Sequence, residues 1–226
     1  GVYSSGRYHS HNYDAVERHV LWLKPSTQEG DDRVVVYDLI DNRSGATPSE
    51  RSWQMHIDTA HLASEPSIVG SGASYQAESN VQVDVVVPAD LTLSFDSPQG
   101  THSNNPADVY TGRLRADAQS SDAALRYVSV LRASDAPTSV VAAGVESADV
   151  VGVVSGSDLV LFQREAKATV SAAQTADVST SGVTTVWWTG LTPGADYSLG
   201  ASGGSVTLTP GGNLSADAAG VVVGSI

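Results

Sequence analysis

Short apolar runs rich in β-branched residues recur along the whole chain, and each is bounded by Gly, Pro, Asp, Asn or Ser. Helical periodicity is almost absent. Runs of this kind, spaced about 8 to 15 residues apart with turn residues between them, are typical of an antiparallel sandwich and not of βαβ units. The pattern therefore predicts an all-β chain built as a large antiparallel β-sandwich. The predicted strands are 19–23, 33–40, 52–59, 81–87, 91–95, 125–131, 139–145, 150–154, 159–163, 184–188, 196–199, 205–209 and 220–224.

The spacing of these runs also predicts how the chain is divided. The segment "AKATVSAAQTADVSTSG" is poor in charge and marks a break. We therefore predict a main sandwich over residues 1–165, followed over 166–226 by a hairpin-rich extension or a small second sheet. The one wide gap between runs, residues 97–124, is predicted to be a long surface loop.

The run "RVVVYDLI" is apolar on both faces, which predicts a central strand. Its alternation places Asp38 on the same face as Val34, Val36 and Ile40. A buried carboxylate without a donor costs several kcal/mol or shifts its pKa. We therefore predict that Asp38 is structural and hydrogen-bonded.

The run "SWQMHID" alternates strictly between apolar and polar residues. Its predicted core face holds Trp53, Met55 and Ile57. Its predicted outer face holds Ser52, Gln54, His56 and Asp58. A histidine on such a face either lies at a substrate cleft or forms a hydrogen bond with a neighbour.

Composition narrows the range of partners. The chain has 25 acidic and 12 basic residues and a formal charge of −13, which disfavours nucleic acid because phosphate binding needs clustered Lys and Arg. Without cysteine there is no disulfide or thiol nucleophile. No apolar run approaches the roughly 18 residues of a membrane span.

Few lysines and the sequons at Asn42 and Asn213 suit an exported protein, so we predict a secreted, periplasmic or cell-surface location. The start at Gly1, without a basic leader, suggests a processed or truncated piece.

Three of the six histidines lie in the first 19 residues, in "GRYHSHNYDAVERH". His9 and His11 fall on one side of an extended segment, a spacing at which two imidazoles can bind Zn²⁺ or another divalent ion. Asp38, His19 or His56 would then be the third ligand. The alternatives are the rim of an active site or a solvated chain end.

Several segments, taken in order, carry a resemblance to a known family. They are "VERHVLWLKP" with "DDRVVVYDLID" and "SWQMHID", then "LTLSFDSP" with "ALRYVSVLRASDA", then "GSDLVLFQREA" and the Gly-rich close "VWWTGLTPGADYSLG". This order resembles the C-terminal β-sandwich of heparinase II/III-like polysaccharide lyases. The resemblance runs from about residue 16 to the end, and the order of the motifs is more specific than any one of them.

The resemblance implies a role in cleaving uronic-acid polysaccharides by β-elimination. In that family most of the catalytic groups lie in an α-helical toroid ahead of the sandwich, and this chain has no such segment. The family's metal segment, H-x-H-x-D followed by D-S-G, has only an echo here in "HSHNYDA", and D-S-G is missing. The chain is therefore interpreted as the sandwich part of such a lyase, inactive alone. Its expected partners are an acidic polysaccharide and an α-helical catalytic part.

The candidate site residues follow from this interpretation and from their chemistry. His and Tyr exchange protons near neutral pH or contact sugar hydroxyls, Arg pairs with a uronate carboxylate, and an outward indole stacks on a sugar. The candidate catalytic residues are Arg7, Tyr8, His9 and His11. The candidate substrate-binding residues are Tyr13, His56 and Trp188, the last as the outward member of the Trp187–Trp188 pair. The alternative function is a non-catalytic carbohydrate-binding or cell-surface structural sandwich.

Overall fold

The computed structural model of the protein describes residues 13–24, 32–42, 52–57, 62–96, 100–102, 105–110, 112–119, 122–135, 142–164, 170–179 and 181–226. The described residues form strands and turns, and the predicted all-β sandwich fold is confirmed. No helix in these ranges has the length and hydrophobicity to cross a membrane. They divide into two compact units with the boundary at 139/140.

The N-terminal unit contains two main sheets and a hairpin. Its strands are β1 (Tyr13–Leu23), β2 (Asp32–Asn42), β3 (Ser52–Ile57), β4 (Ser67–Val69), β5 (Gly72–Gln76), β6 (Asn80–Val87), β7 (Leu91–Asp96), β8 (Gly100–His102), β9 (Asn105–Tyr110), β10 (Gly112–Ala118) and β11 (Ala124–Ser134). The six-stranded sheet has the order β1-β2-β11-β6-β5-β4, and the three-stranded sheet has the order β3-β10-β7. All of their pairings are antiparallel.

One hydrophobic core joins the two main sheets of this unit. The three-stranded sheet contributes Trp53, Leu93 and Leu114, and the six-stranded sheet contributes Val83 and Tyr127. Trp53, Leu93 and Leu114 come from strands in which apolar and polar residues alternate, so one face of the three-stranded sheet turns inward and the other outward.

The prediction that residues 33–40 form a central strand is confirmed, because β2 pairs with β1 on one side and β11 on the other. The predicted surface loop over 97–124 is wrong, since β8, β9 and β10 lie within it. The segment "GRLRADA" forms β10, the middle strand of the three-stranded sheet. It lacks a β-branched run, so its alternation of Leu114 and Ala116 with charged residues was the only signal for a strand.

The C-terminal unit has its own pair of sheets. Its strands are β12 (Ala143–Glu146), β13 (Val150–Ser155), β14 (Asp158–Gln163), β15 (Gln174–Asp177), β16 (Thr185–Thr189), β17 (Asp196–Ser202), β18 (Ser205–Pro210), β19 (Leu214–Ser215) and β20 (Val222–Ser225). The orders are β12-β13-β14-β16-β20 and β15-β18-β17-β19. The pair β14–β16 is parallel, the exception among otherwise antiparallel ladders.

The core of the C-terminal unit is built from both of these sheets. Val150, Leu161 and Trp188 from the five-stranded sheet pack in one cluster with Val206 and Leu208 from the four-stranded sheet. The boundary therefore falls earlier than the predicted one at 165/166. The reason is that β12, β13 and β14 share a sheet with β16 and β20 instead of belonging to the first sandwich.

Hydrogen bonds within the turn 217–221 fix the conformation of the closing Gly-rich segment. The Oδ1 of Asp217 accepts hydrogen bonds from the backbone N–H groups of Ala219 at 2.8 Å and Val221 at 2.9 Å. Gly220 between them has a φ of +75°, a conformation that L-residues rarely adopt. Its carbonyl accepts from the N–H of Leu191 at 3.0 Å, which ties the turn after β16 to the turn before β20.

Asp38 is buried and hydrogen-bonded, as predicted. It is 8 % exposed, and Arg18 across the β1–β2 pair reaches it twice, with Nε 2.6 Å from Oδ1 and Nη2 3.0 Å from Oδ2. Replacing Asp38 by alanine removes the carboxylate from this two-point contact, and charge-assisted bonds of this kind contribute about 1.5–3 kcal/mol. We expect the melting temperature to fall by several degrees. An unchanged thermal melt would contradict the structural role.

Candidate functional site

None of the four predicted catalytic residues belongs to the described part of the chain. Arg7, Tyr8, His9 and His11 lie outside the described residues. Tyr13 begins β1, but its side chain is outside the described part as well. Their assigned roles stay predictions.

Trp188 lies where it cannot meet a ligand. Its side chain is 0 % exposed, within the core of the C-terminal unit. The expected stacking on a sugar is not compatible with this burial, because stacking needs an accessible ring face. The neighbouring Trp187 is half-buried instead, and its Nε1 donates to Oδ1 of Asp158 at 2.9 Å. The prediction that Trp187 and Trp188 point to opposite faces is confirmed, but Trp187 and not Trp188 is the more exposed of the two.

His56 is where the alternation of β3 predicts it. Trp53 and Ile57 are buried, whereas Gln54 and His56 are exposed on the opposite face. Ser52 shares that face and accepts a hydrogen bond from Nε2 of Gln54 at 2.8 Å. Asp58, the fourth residue predicted for this face, lies outside the described residues.

Strand pairing extends this polar face across the whole three-stranded sheet. The register brings polar residues of the three strands into rows, because residues opposite one another on paired strands share a face. The rows are His56–Arg113–Asp96, Gln54–Arg115–Ser94 and Ser52–Asp117–Thr92. We call these nine residues the polar face. Leu114 and Ala116 alternate with its arginines and are buried, which fixes the arginines outward.

Both arginines of the polar face are in contact with carboxylates at its surface. Nη2 of Arg113 lies 2.8 Å from Oδ2 of Asp96, and Nε of Arg115 lies 2.8 Å from Oδ1 of Asp117. All four side chains keep between 29 % and 46 % of their surface exposed. Nε of Arg113 is buried and without a hydrogen-bond partner. Ion pairs this exposed contribute about 0–1 kcal/mol, so an incoming anion can compete for the guanidinium groups.

The described residues do not assemble the predicted metal site. No group of three or more His, Cys, Asp or Glu within the described ranges is placed to hold an ion. Of the proposed third ligands, Asp38 is held by Arg18, and His19 lies on the other face of the sheet with its Nε2 3.4 Å from Oε2 of Glu17. His56 belongs to a different sheet.

The polar face brings several kinds of polar group together. It presents guanidinium, imidazole, amide and hydroxyl groups, together with two carboxylates, over three adjacent strands. Sequence reasoning found His56 but missed Arg113 and Arg115, because both lie on the strand β10 that was predicted to be loop.

Comparison with known proteins adds no family assignment. Neither the protein-family models nor the curated proteins include a match to this chain.

Proposed function

We propose that this chain is the β-sandwich part of an exported polysaccharide lyase, and that it binds a uronic-acid-containing polysaccharide for an α-helical catalytic part. The order of the sequence motifs supports the family, and the all-β fold agrees with it. The polar face is the observation that carries the binding role.

The argument for an acidic ligand is electrostatic. In a chain with a formal charge of −13, the polar face sets two arginines side by side on β10. A uronate carboxylate can accept two parallel N–H bonds from one guanidinium, which fixes its position as well as its charge. The carboxylates of Asp96 and Asp117 contact the arginines in exposed pairs, so a ligand carboxylate can compete with them for the guanidinium groups.

In β-elimination a base removes the C5 proton, the uronate carboxylate is neutralised, and an acid protonates the leaving oxygen. The polar face can hold carboxylates of sugar residues along the polymer and so orient it. The proton-transfer steps are assigned to the helical part, with His9, His11 or Tyr8 as candidate contributors and Arg7 and Tyr13 as candidate sugar contacts.

A non-catalytic carbohydrate-binding sandwich is the second candidate. The composition of the polar face favours it, since binding groups are present there without an evident nucleophile or base other than His56. The two candidates differ in one respect: only the first requires that adding the helical part of the enzyme produce cleavage.

The isolated chain is expected to bind polyuronates and not to cleave them. Incubated with alginate, heparan sulfate, hyaluronan and ulvan, it should give no ultraviolet absorbance of unsaturated product. Binding measured by calorimetry should weaken with salt. The double variant Arg113→Gln/Arg115→Gln should lose at least tenfold in affinity, about 1.4 kcal/mol.

Arg126→Gln is the control for the loss of positive charge elsewhere, because Arg126 lies on the six-stranded sheet and not on the polar face. Its affinity should stay close to that of the parent. Equal affinity of the parent and the double variant would contradict binding at the polar face. Steady product formation by the pure chain would contradict the division between binding and catalysis.

A further inference from the structure

The two edges of the six-stranded sheet are built differently. At one edge β4 has three residues, a length that limits pairing with another chain. At the other edge β1 has eleven residues, and among the described strands it pairs only with β2. A long edge strand presents a row of backbone N–H and C=O groups that can accept a further strand.

The side chains on one face of β1 make this edge unusual. Val16, Val20 and Trp22 are 37 %, 58 % and 56 % exposed, and all three point to the same face. They are three of the six large exposed hydrophobic residues among the described part of the chain. Apolar groups gathered on an open edge are typical of association sites.

We propose that a second copy of this chain pairs with β1, antiparallel and about a twofold axis, so that Val20 lies opposite Val20 of the partner copy. When two identical strands pair about a twofold axis, one residue lies opposite its own copy, and every other pair occurs twice. Naming that residue therefore defines the register. This residue decides which charges face each other.

Charge and chemistry select the register. An axis at Glu17 or Arg18 would place like charges directly opposite, which is destabilising. An axis at His19 would place two imidazoles together, and an axis at Leu21 would set Arg18 opposite Lys24 of the partner copy, again two like charges. The axis at Val20 instead pairs the most exposed of the three apolar residues with itself.

The same axis places Arg18 of each copy opposite Trp22 of the other copy, so this contact forms two times in the dimer. A guanidinium beside an indole face is a favourable contact. The Trp22 ring already attracts a cation, because Nζ of Lys24 lies 4.4 Å from its centroid.

The first test is whether the average molar mass of the protein in solution rises with its concentration. A single strand pairing is a small interface, below about 1,200 Å², so we expect a dimer that dissociates in the micromolar range. Sedimentation of the full 226-residue chain should therefore show a monomer–dimer equilibrium. Val20→Lys places two cations at the axis and should weaken dimerisation at least tenfold.

Val69→Lys is the matched control, since Val69 is 80 % exposed on β4 of the same sheet. It should leave the equilibrium unchanged. A monomer at all concentrations overturns the proposal and would mean that Val16, Val20 and Trp22 do not bind a second copy of the chain. Equal weakening by both lysine variants also overturns it.

The second test reads the register directly. The chain has no cysteine, so an introduced thiol can form a disulfide only between copies. Residues directly opposite in an antiparallel pair have Cα atoms about 4.5–5.5 Å apart, within the range of a disulfide. Val20→Cys should form a covalent dimer under mild oxidation much faster than His19→Cys or Val69→Cys. A faster reaction of His19→Cys, or equal rates for all three, overturns the proposed pairing.

Discussion

Replacing Asp84 by alanine is expected to destabilise the N-terminal unit strongly. Asp84 and Arg132 form an ion pair at 3.3 Å between Oδ2 and Nη1, with side-chain exposures of 6 % and 1 %. Nε2 of Gln82 adds hydrogen bonds of 3.1 and 3.0 Å to the two carboxylate oxygens. Removing one partner of a buried pair leaves a buried charge without its counter-ion, which costs about 3–5 kcal/mol. The melting temperature should fall by roughly 10 °C.

The control for this variant is Asp117→Ala. Asp117 also pairs with an arginine, but at 35 % exposure, so its loss should cost less than about 1 kcal/mol. A double replacement, Asp84→Leu with Arg132→Met, removes both buried charges and should recover much of the lost stability. Equal melting temperatures for Asp84→Ala and Asp117→Ala would show that burial does not increase the contribution of the Asp84–Arg132 pair to stability.

Replacing Gly152 by alanine should also destabilise the C-terminal unit. Gly152 lies in β13, and a Cβ there would overlap the carbonyl oxygen of Val160 and approach Cα of Leu161 to 3.0 Å. These are backbone atoms of β14, which is paired with β16 on its other side. The strand therefore cannot move away without breaking a second ladder. Overpacking of this kind costs about 1–3 kcal/mol or more, and we expect the upper end.

Gly200→Ala provides the comparison, because Gly200 lies in β17 with no atom within 4 Å of its Cβ position. Alanine there restricts the unfolded chain and should raise the free energy of unfolding by about 0.4–1 kcal/mol. Chemical denaturation of both variants measures the two effects. A similar midpoint for both would mean that β13 and β14 are less closely packed than described.

The sequence predicted those parts of the fold in which side-chain pattern alone determines the outcome. The central position of β2 followed from its two apolar faces, and the inward Trp53 followed from strict alternation. Asp38 was predicted to be hydrogen-bonded because burying a carboxylate without a donor costs several kcal/mol. These inferences need only local periodicity and the cost of burial.

The remaining features depend on partners distant in the sequence. The assignment of β12–β14 to the C-terminal unit follows from the parallel pairing of β14 with β16, which no local pattern indicates. The burial of Trp188 and not Trp187 depends on which face of that sheet meets the four-stranded sheet. Only the β3 part of the polar face was predicted, because the role of Arg113 and Arg115 follows from the register of β10 with β3 and β7.

The position of β11 has a consequence for how the protein is made. This strand lies between β2 and β6 and is the last of the six-stranded sheet to be synthesised. About 80 residues separate the end of β2 from the start of β11, which is roughly 4–16 s of translation at about 5–20 residues per second. Until then the β1–β2 pair and the β4–β5–β6 meander each expose an unpaired apolar edge. The growing chain thus passes through a period of seconds in which these unpaired edges are exposed to aggregation.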